Sequence, residues 1–367
     1  MKRLAPWACM LALALGLAPA IAPAAEDRND AVVRSLAEKG AARGDPVAKS
    51  VLEMIKHGNL DDGQNGAILG TWVADAARRN EPEAQHIVGF FEESKKDYAR
   101  AAEWYLKAAK QGFAPAQVSL ASLYLAGKGV AKDAASAATW ARKAAEQNDP
   151  YGQVLIGALH TTGEGGVPKD PVKAAEWFEK AALQGNDYAQ FVTGSDYING
   201  RGVPPSLKKA EYWYRKAAEG GNADAKKAMA APAAARELVA AQAGDAEAQY
   251  GAGVKYLRGS GGQEKNAGEA FKWFTKASDQ GHPAAQLELG VMYLKGVGVA
   301  RNDREAVRLI RSAAEKENPT AMATVGFWYE KGQGGLPKDP AMAESLYRKA
   351  EAKGSRVATR QLQRLGK

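Results

Sequence analysis

Four histidines, one cysteine and two glycine-rich stretches are the places where this 367-residue chain could do chemistry. His57, His86, His160 and His282 are too far apart to supply neighbouring metal ligands. The stretches "GEGGVPK" from Gly163 and "GAGVKYLRG" from Gly251 resemble nucleotide loops only loosely. A dinucleotide loop must follow a strand and open a helix, whereas the first joins two helical segments and the second lies within one. There is no glycine-flanked serine elbow, phosphate-loop Lys-Ser/Thr or His-Glu-x-x-His sequence. Glu176, Glu179 and Lys180 fall in a solvent-facing helical pattern. No nucleophile, base and orienting group assemble, so no catalytic residue, metal ligand or cofactor is expected.

The elements that would have to position any site are repeated. "AAEWFEKAALQG" at 174 returns as "AAEWYLKAAKQG" at 101, "AEYWYRKAAEGG" at 210 and "AFKWFTKASDQG" at 270. Trp72, Trp104, Trp140, Trp177, Trp213 and Trp273 mark the register, continued by Leu309 and Leu346, with most spacings at 36 or 37. Within one copy Ala101, Trp104, Tyr105 and Ala108 share one helix face, so each phrase predicts an amphipathic helix with a bulky knob and a small-residue seat.

A second phrase precedes the first, as in "AQVSLASLYLAG" at 116, "AQYGAGVKYLRG" at 248 and "AQLELGVMYLKG" at 285. Counting from its Ala, an apolar residue at +4, Gly or Ala at +5 and Tyr at +8 fall on one side of a helix. Gly at +5 is expected to admit a neighbouring backbone, and Gly at +11 to end the helix in a left-handed cap. His160 occupies a +8 position and reads as a packing substitution. Asp170 and Asp339 are expected N-caps, with Pro171 and Pro340 at the first helical position. The unit is helix, loop, helix, and such units hide their apolar faces only by stacking.

The pattern "AQ..LG..Y..G.GV..D", followed by "A..W..KAA..G" at a period near 36, resembles the Sel1-like repeat family, a relative of tetratricopeptide repeats. That resemblance implies an all-α, right-handed α-solenoid of stacked helix-loop-helix Sel1-like repeats. Four copies run from Glu81 to Asn222 and three from Asp245 to Gly354. Residues 25–80 hold N-terminal helices and a degenerate copy, since Ala48 precedes Ala84 by 36. Over 223–244 the period collapses to 23, from Lys226 to Gln249, which reads as a shortened repeat with Pro232 opening its second helix, or as a hinge. Residues 355–367 should form a polar C-terminal capping helix.

The first 24 residues read as a signal peptide, with Lys2 and Arg3, an apolar run, and Ala22-Pro23-Ala24 before cleavage after Ala24. The run from Leu11 to Ile21 is too short for a membrane span. The mature chain is then free of transmembrane segments and of cysteine, because Cys9 leaves with the signal. Removing Lys2 and Arg3 lowers the formal charge from +8 to +6, a mildly basic surface suited to acidic patches or anionic envelope polymers and not to nucleic acid. The expected location is periplasmic, with secretion beyond the periplasm left open, and the expected state is monomeric.

Without chemistry, function must sit on surface. With +4, +5 and +8 inward, positions +2, +6 and +10 of the first helices should face a concave groove. They include Phe90, Phe191, Tyr250, Leu287, Val291 and Phe327, with Arg258, Lys295 and Lys331 toward the loop end. Aromatics ringed by cations suit a protein or peptide partner. The family resemblance implies adaptor activity, which for exported members includes envelope assembly, polysaccharide export and signalling. Two alternatives are a peptidoglycan or carbohydrate binder and a cell-wall or β-lactam hydrolase; some disulfide-rich relatives have been assigned the latter, and this chain lacks their cysteines.

Overall fold

Both recurring phrases become helices of thirteen residues, and the reasons are local. The computed structural model describes residues 18–367 except 59, 61, 62 and 232, with only backbone for 18–27 and for 234. Residues 1–17 of the expected signal peptide and Pro232 therefore lie outside the described residues. The chain begins with α1 (Ala18–Ala42), α2 (Pro46–His57) and α3 (Gly63–Arg78). Four helix pairs follow: α4 (Pro82–Ser94) with α5 (Tyr98–Lys110), α6 (Ala114–Ala126) with α7 (Ala134–Glu146), α8 (Pro150–Thr162) with α9 (Pro171–Leu183), and α10 (Asp187–Asn199) with α11 (Leu207–Glu219). After the short α12 (Ala223–Ala230) and α13 (Ala233–Ala243) come α14 (Ala246–Arg258) with α15 (Ala267–Asp279), α16 (Pro283–Lys295) with α17 (Asp303–Glu315), and α18 (Pro319–Lys331) with α19 (Pro340–Ala352). α20 (Arg356–Arg364) ends the chain. The fold is an α-solenoid of stacked helix pairs, without strands among the described residues.

The caps follow the sequence. Asp170 accepts from the Val172 and Lys173 amides, Asp339 from those of Ala341 and Met342, and Pro171 and Pro340 open their helices. Gly127, Gly163, Gly259, Gly296 and Gly332 close first helices in the left-handed conformation. The second glycine of the loop is demanded twice over. At Gly129 φ is +68°, and a Cβ there would stand 2.2 Å from the Tyr98 carbonyl oxygen at the start of α5. The loop thus rests on the preceding repeat, and Gly165 does the same on the Ala134 carbonyl.

Two packing details differ from the sequence expectation. In five of the seven second helices the deepest ring is the residue after the tryptophan, Tyr105, Phe178, Tyr214, Phe274 and, after Leu346, Tyr347. Trp104, Trp140, Trp177 and Trp273 are half-buried instead, each under the ammonium of the lysine three residues on, at 4.0, 4.5, 4.1 and 4.4 Å. Trp213 is buried, edge-on to Tyr212. The +5 glycine faces that deep ring more than a backbone, since a Cβ on Gly89 would meet Tyr105 at 2.7 Å and one on Gly253 would meet Phe274 at 2.6 Å.

The glutamine at +1 in six of the seven copies, replaced by Met322 in the last, has a structural task. Gln117, Gln190 and Gln249 are buried and donate to the carbonyls of Ala109, Ala182 and Ala241 in the preceding helix. Gln147 and Gln280 in turn donate to Gln117 and Gln249, both at 2.8 Å. Each buried amide is satisfied, which its burial requires.

The contacts divide the chain into two units. Unit 1 runs to Asp196 and includes Arg201–Val203 and Glu211–Met229; unit 2 takes Tyr197–Gly200, Pro204–Ala210 and Ala230–Lys367. The segment 223–244 is thus two short helices, with the division falling between Met229 and Ala230. In unit 2, α20 lays Ala358 and Leu362 against Tyr347 and Met322. His160 packs in unit 1, its Nδ1 3.0 Å from the Pro168 carbonyl oxygen.

Candidate functional site

The outward side of the first helices divides by position more finely than helix periodicity suggests. At +2, Phe191 meets Tyr214 at 5.8 Å, and Tyr250 meets Phe274 at 5.8 Å and stacks on His282 at 5.0 Å. Leu287, also at +2, packs against the cluster around Ile310 and Val325. These three are half-buried against those neighbours. A +2 residue lies only about 110° from the centre of the packing face, so a long side chain folds back onto the deep ring of the second helix.

Positions +6 and +10 remain more open. In unit 2, Val291 is half-buried and Phe327 is 36 % exposed, with the Lys331 ammonium 5.9 Å from its ring. Arg258, Lys295 and Lys331 are exposed at the loop ends of α14, α16 and α18. Lys331 also pairs with Glu330 at 2.8 Å. In unit 1, Phe90 is half-buried, 6.3 Å from Phe91. The structure brings Phe327 and Lys331 together and leaves Tyr250, Phe191 and Leu287 in packing.

Unit 1 holds an arrangement for which spacing gave no sign. α1 is held against the N-terminal ends of two first helices. Its last turn places Lys39 on Glu83, and just past its end Arg43 pairs with Glu81 at 2.8 Å. Further toward its start, Asn29 Oδ1 lies 3.0 Å from His86 Nε2 on α4, and Arg28 pairs with Asp149, the N-cap of α8. The Arg28 guanidinium also stands 4.7 Å over the Tyr151 ring. Only 16 % of the Arg28 side chain and 11 % of the Asp149 side chain remain exposed.

The electrostatics follow from burial. Asp149 Oδ1 accepts from the Tyr151 and Gly152 amides at 3.0 Å each, so Oδ2 is free to receive Arg28. Burial draws the Arg28 pKa below its ordinary value while Asp149 opposes the shift. Burial, helped by the Arg28 charge, brings His86 down to about 3 and keeps it neutral. Its ring packs on Tyr105 at 5.3 Å and Phe113 at 5.6 Å, and its Nδ1 has no hydrogen-bond partner among the described residues. This is recognition geometry, a cation held between a carboxylate and an aromatic face.

His86 was legible, because it stands at +2 of its repeat like Phe191 and Tyr250. Asp149 could have been read as an N-cap before Pro150, but Arg28 lies ahead of the array and no spacing points to it. Among the described residues no three His, Cys, Asp or Glu side chains group to hold a metal ion, and no helix is long and apolar enough to cross a membrane.

Comparison with known families supplies the context. The Sel1 repeat matches seven times, at 82–113, 114–149, 150–186, 187–222, 246–282, 283–318 and 319–355. The chain belongs to the Sel1-repeat family. The matches fall as four consecutive copies and then three, and members of this family typically mediate protein–protein interaction and are generally non-catalytic scaffolds. Among solved structures, a protective antigen of uropathogenic Escherichia coli with a Sel1-like repeat fold is 29 % identical, over 81 % of this chain and 67 % of that one, with a TM-score of 0.42. A Sel1 repeat protein of Oxalobacter formigenes is 28 % identical, over 74 % of this chain and 98 % of that one, with a TM-score of 0.35. No curated protein matches the chain.

Proposed function

We propose that this Sel1-repeat protein is a non-catalytic adaptor of the bacterial envelope that binds a protein or peptide across the outward faces of its first helices. The observation that carries this reading is the open row of unit 2. There Val291 and Phe327 offer apolar contact, and Arg258, Lys295 and Lys331 offer cations at the loop ends of three successive first helices. A central apolar anchor with a charged rim is the usual arrangement of a protein interface. The periplasm is the proposed location, supported by Lys2, Arg3 and the Leu11 to Ile21 run with Ala22-Pro23-Ala24 behind it. Fractionation of cells with mass measurement of the intact chain tests it, and a chain that retains residues 1–24 in the cytoplasm contradicts it.

The binding claim is tested by affinity purification of the tagged chain from its native host. A partner retained by the unaltered chain and by Lys349→Glu on α19, but lost with Phe327→Ala and Lys331→Glu together, supports the row as the interface. A partner retained equally by all three contradicts it.

A further inference from the structure

Acidic residues stand immediately ahead of the first and third matched repeats, Glu81 before α4 and Asp149 before α8, and arginine answers both, Arg28 from α1 and Arg43 from the turn that follows it. Arg28 and Arg43 are fifteen residues apart, a rise of about 22 Å along a helix. The two ends of α1 are held differently. Val32, Val33, Leu36 and Ala37 sit in the core with Ala48, Val51 and Trp72, so the middle of α1 belongs to the fold. Arg28 and Asn29, by contrast, make polar and ring contacts, to Asp149, Tyr151 and His86. The partly buried guanidinium sits where any arginine of an incoming segment would find the same carboxylate and ring.

We infer that Asp149 and Tyr151 form an arginine-recognition site at the head of α8, that Arg28 is its resident ligand, and that an arginine-bearing segment of a partner protein binds there by displacing the stretch of α1 around Arg28. This rests on the proposed role in peptide binding and names the chemistry of one of its sites. The selectivity is for arginine over lysine. Asp149 has one oxygen left for a side-chain donor, and a planar guanidinium can meet that oxygen while lying over the Tyr151 ring, whereas a compact ammonium keeps its hydration more strongly. Displacement exchanges one buried guanidinium for another, so the desolvation cost of the cation is borne equally by resident and guest. The neutral His86 places no second positive charge beside the guest.

The test uses the whole chain and one probe, a fluorescein-labelled synthetic peptide of residues 25–36 of this chain, read by anisotropy. Arg28→Ala removes the resident, and Asp149→Asn removes the charge of the site while keeping a side chain that caps a helix equally well. The Arg28→Ala chain should bind the probe roughly tenfold or more tightly than the unaltered chain, and Arg28→Ala with Asp149→Asn should lose that gain. A probe carrying Lys in place of Arg28 should bind the Arg28→Ala chain more weakly than the parent probe. Equal binding by the unaltered and Arg28→Ala chains overturns the inference. So does equal binding by the single and double variants, or the absence of binding to Arg28→Ala in a chain whose melting shows it folded. Because the probe reads unit 1 and the Phe327 variant reads unit 2, either result can fail while the other stands.

Discussion

The Tyr347 hydroxyl on α19 donates to Glu330 Oε2 at the end of α18, at 3.1 Å in the buried centre of the last repeat. The bond recurs in the first repeat, where Tyr105 on α5 donates to Glu93 at the end of α4 at 2.7 Å. The two carboxylates nevertheless titrate in opposite directions. Burial raises Glu93, with Tyr105 opposing. Burial also acts upward on Glu330, but donors on Lys331, Arg364 and Tyr347 outweigh it and hold Glu330 at about 2. Tyr105→Phe should therefore destabilise unit 1 by about 1–3 kcal/mol, the cost of stranding a buried acceptor. Tyr347→Phe should cost less, since Arg364 and Lys331 remain on Glu330. Chemical denaturation of both variants measures this, and the reverse order contradicts it.

Gly253 and Gly251 lie two residues apart on α14 and should respond oppositely to alanine. A Cβ on Gly253 meets the Phe274 ring at 2.6 Å, so Gly253→Ala overpacks a buried contact and should destabilise by about 1–3 kcal/mol. A Cβ on Gly251 meets nothing within 4 Å, so Gly251→Ala should stabilise the helix by about 0.5–1 kcal/mol. Thermal melts of the two variants decide it.

His86 makes unit 1 sensitive to acid. Folded, it binds a proton only near pH 3, whereas in the unfolded chain it titrates near its ordinary value of 6.5. Its contribution is therefore complete above pH 6.5 and falls as pH drops from 6.5 toward 3, because the unfolded chain gains a proton that the fold refuses. The loss by pH 5 should be about 2 kcal/mol. Arg28 on α1 adds to the refusal, and Tyr105 and Phe113 supply the apolar walls. Denaturation midpoints of the unaltered chain should fall more steeply between pH 7 and pH 5 than those of His86→Phe; parallel curves would contradict this account.

Gln117→Ala should cost about 1–3 kcal/mol, since it removes two hydrogen bonds, one to the Ala109 carbonyl, which is left with the Gly112 amide alone, and one from Gln147. Gln147→Ala, at an exposed position, should cost clearly less. Urea titration of the pair gives the comparison.

What the sequence showed follows from what repeats. Asp170, Gly127 and Trp104 recur in register, and their caps and turns are settled within a few residues of chain, so period and cap chemistry were enough to find them. Tyr105 was seen only as a neighbour of Trp104, because which of the two adjacent rings is buried depends on the adjoining helix. Tyr250 was assigned to open surface for the same reason: the angle of +2 was right, but the reach of a tyrosine back to Phe274 and His282 is a matter of packing. Arg28 was invisible, since its partner Asp149 lies 121 residues away and α1 stands outside the period. The glutamine at +1 was present in six of the seven copies, and its role became intelligible only with the carbonyls it reaches.

The most direct test of the adaptor account is photocrosslinking in living cells from a light-activated residue at Phe327, with Lys349 on α19 as the control position, followed by mass spectrometry. The account predicts one discrete protein adduct from Phe327 and none from Lys349. Identical adducts from both positions, or no protein adduct from Phe327 in cells where the folded chain is abundant, would contradict it.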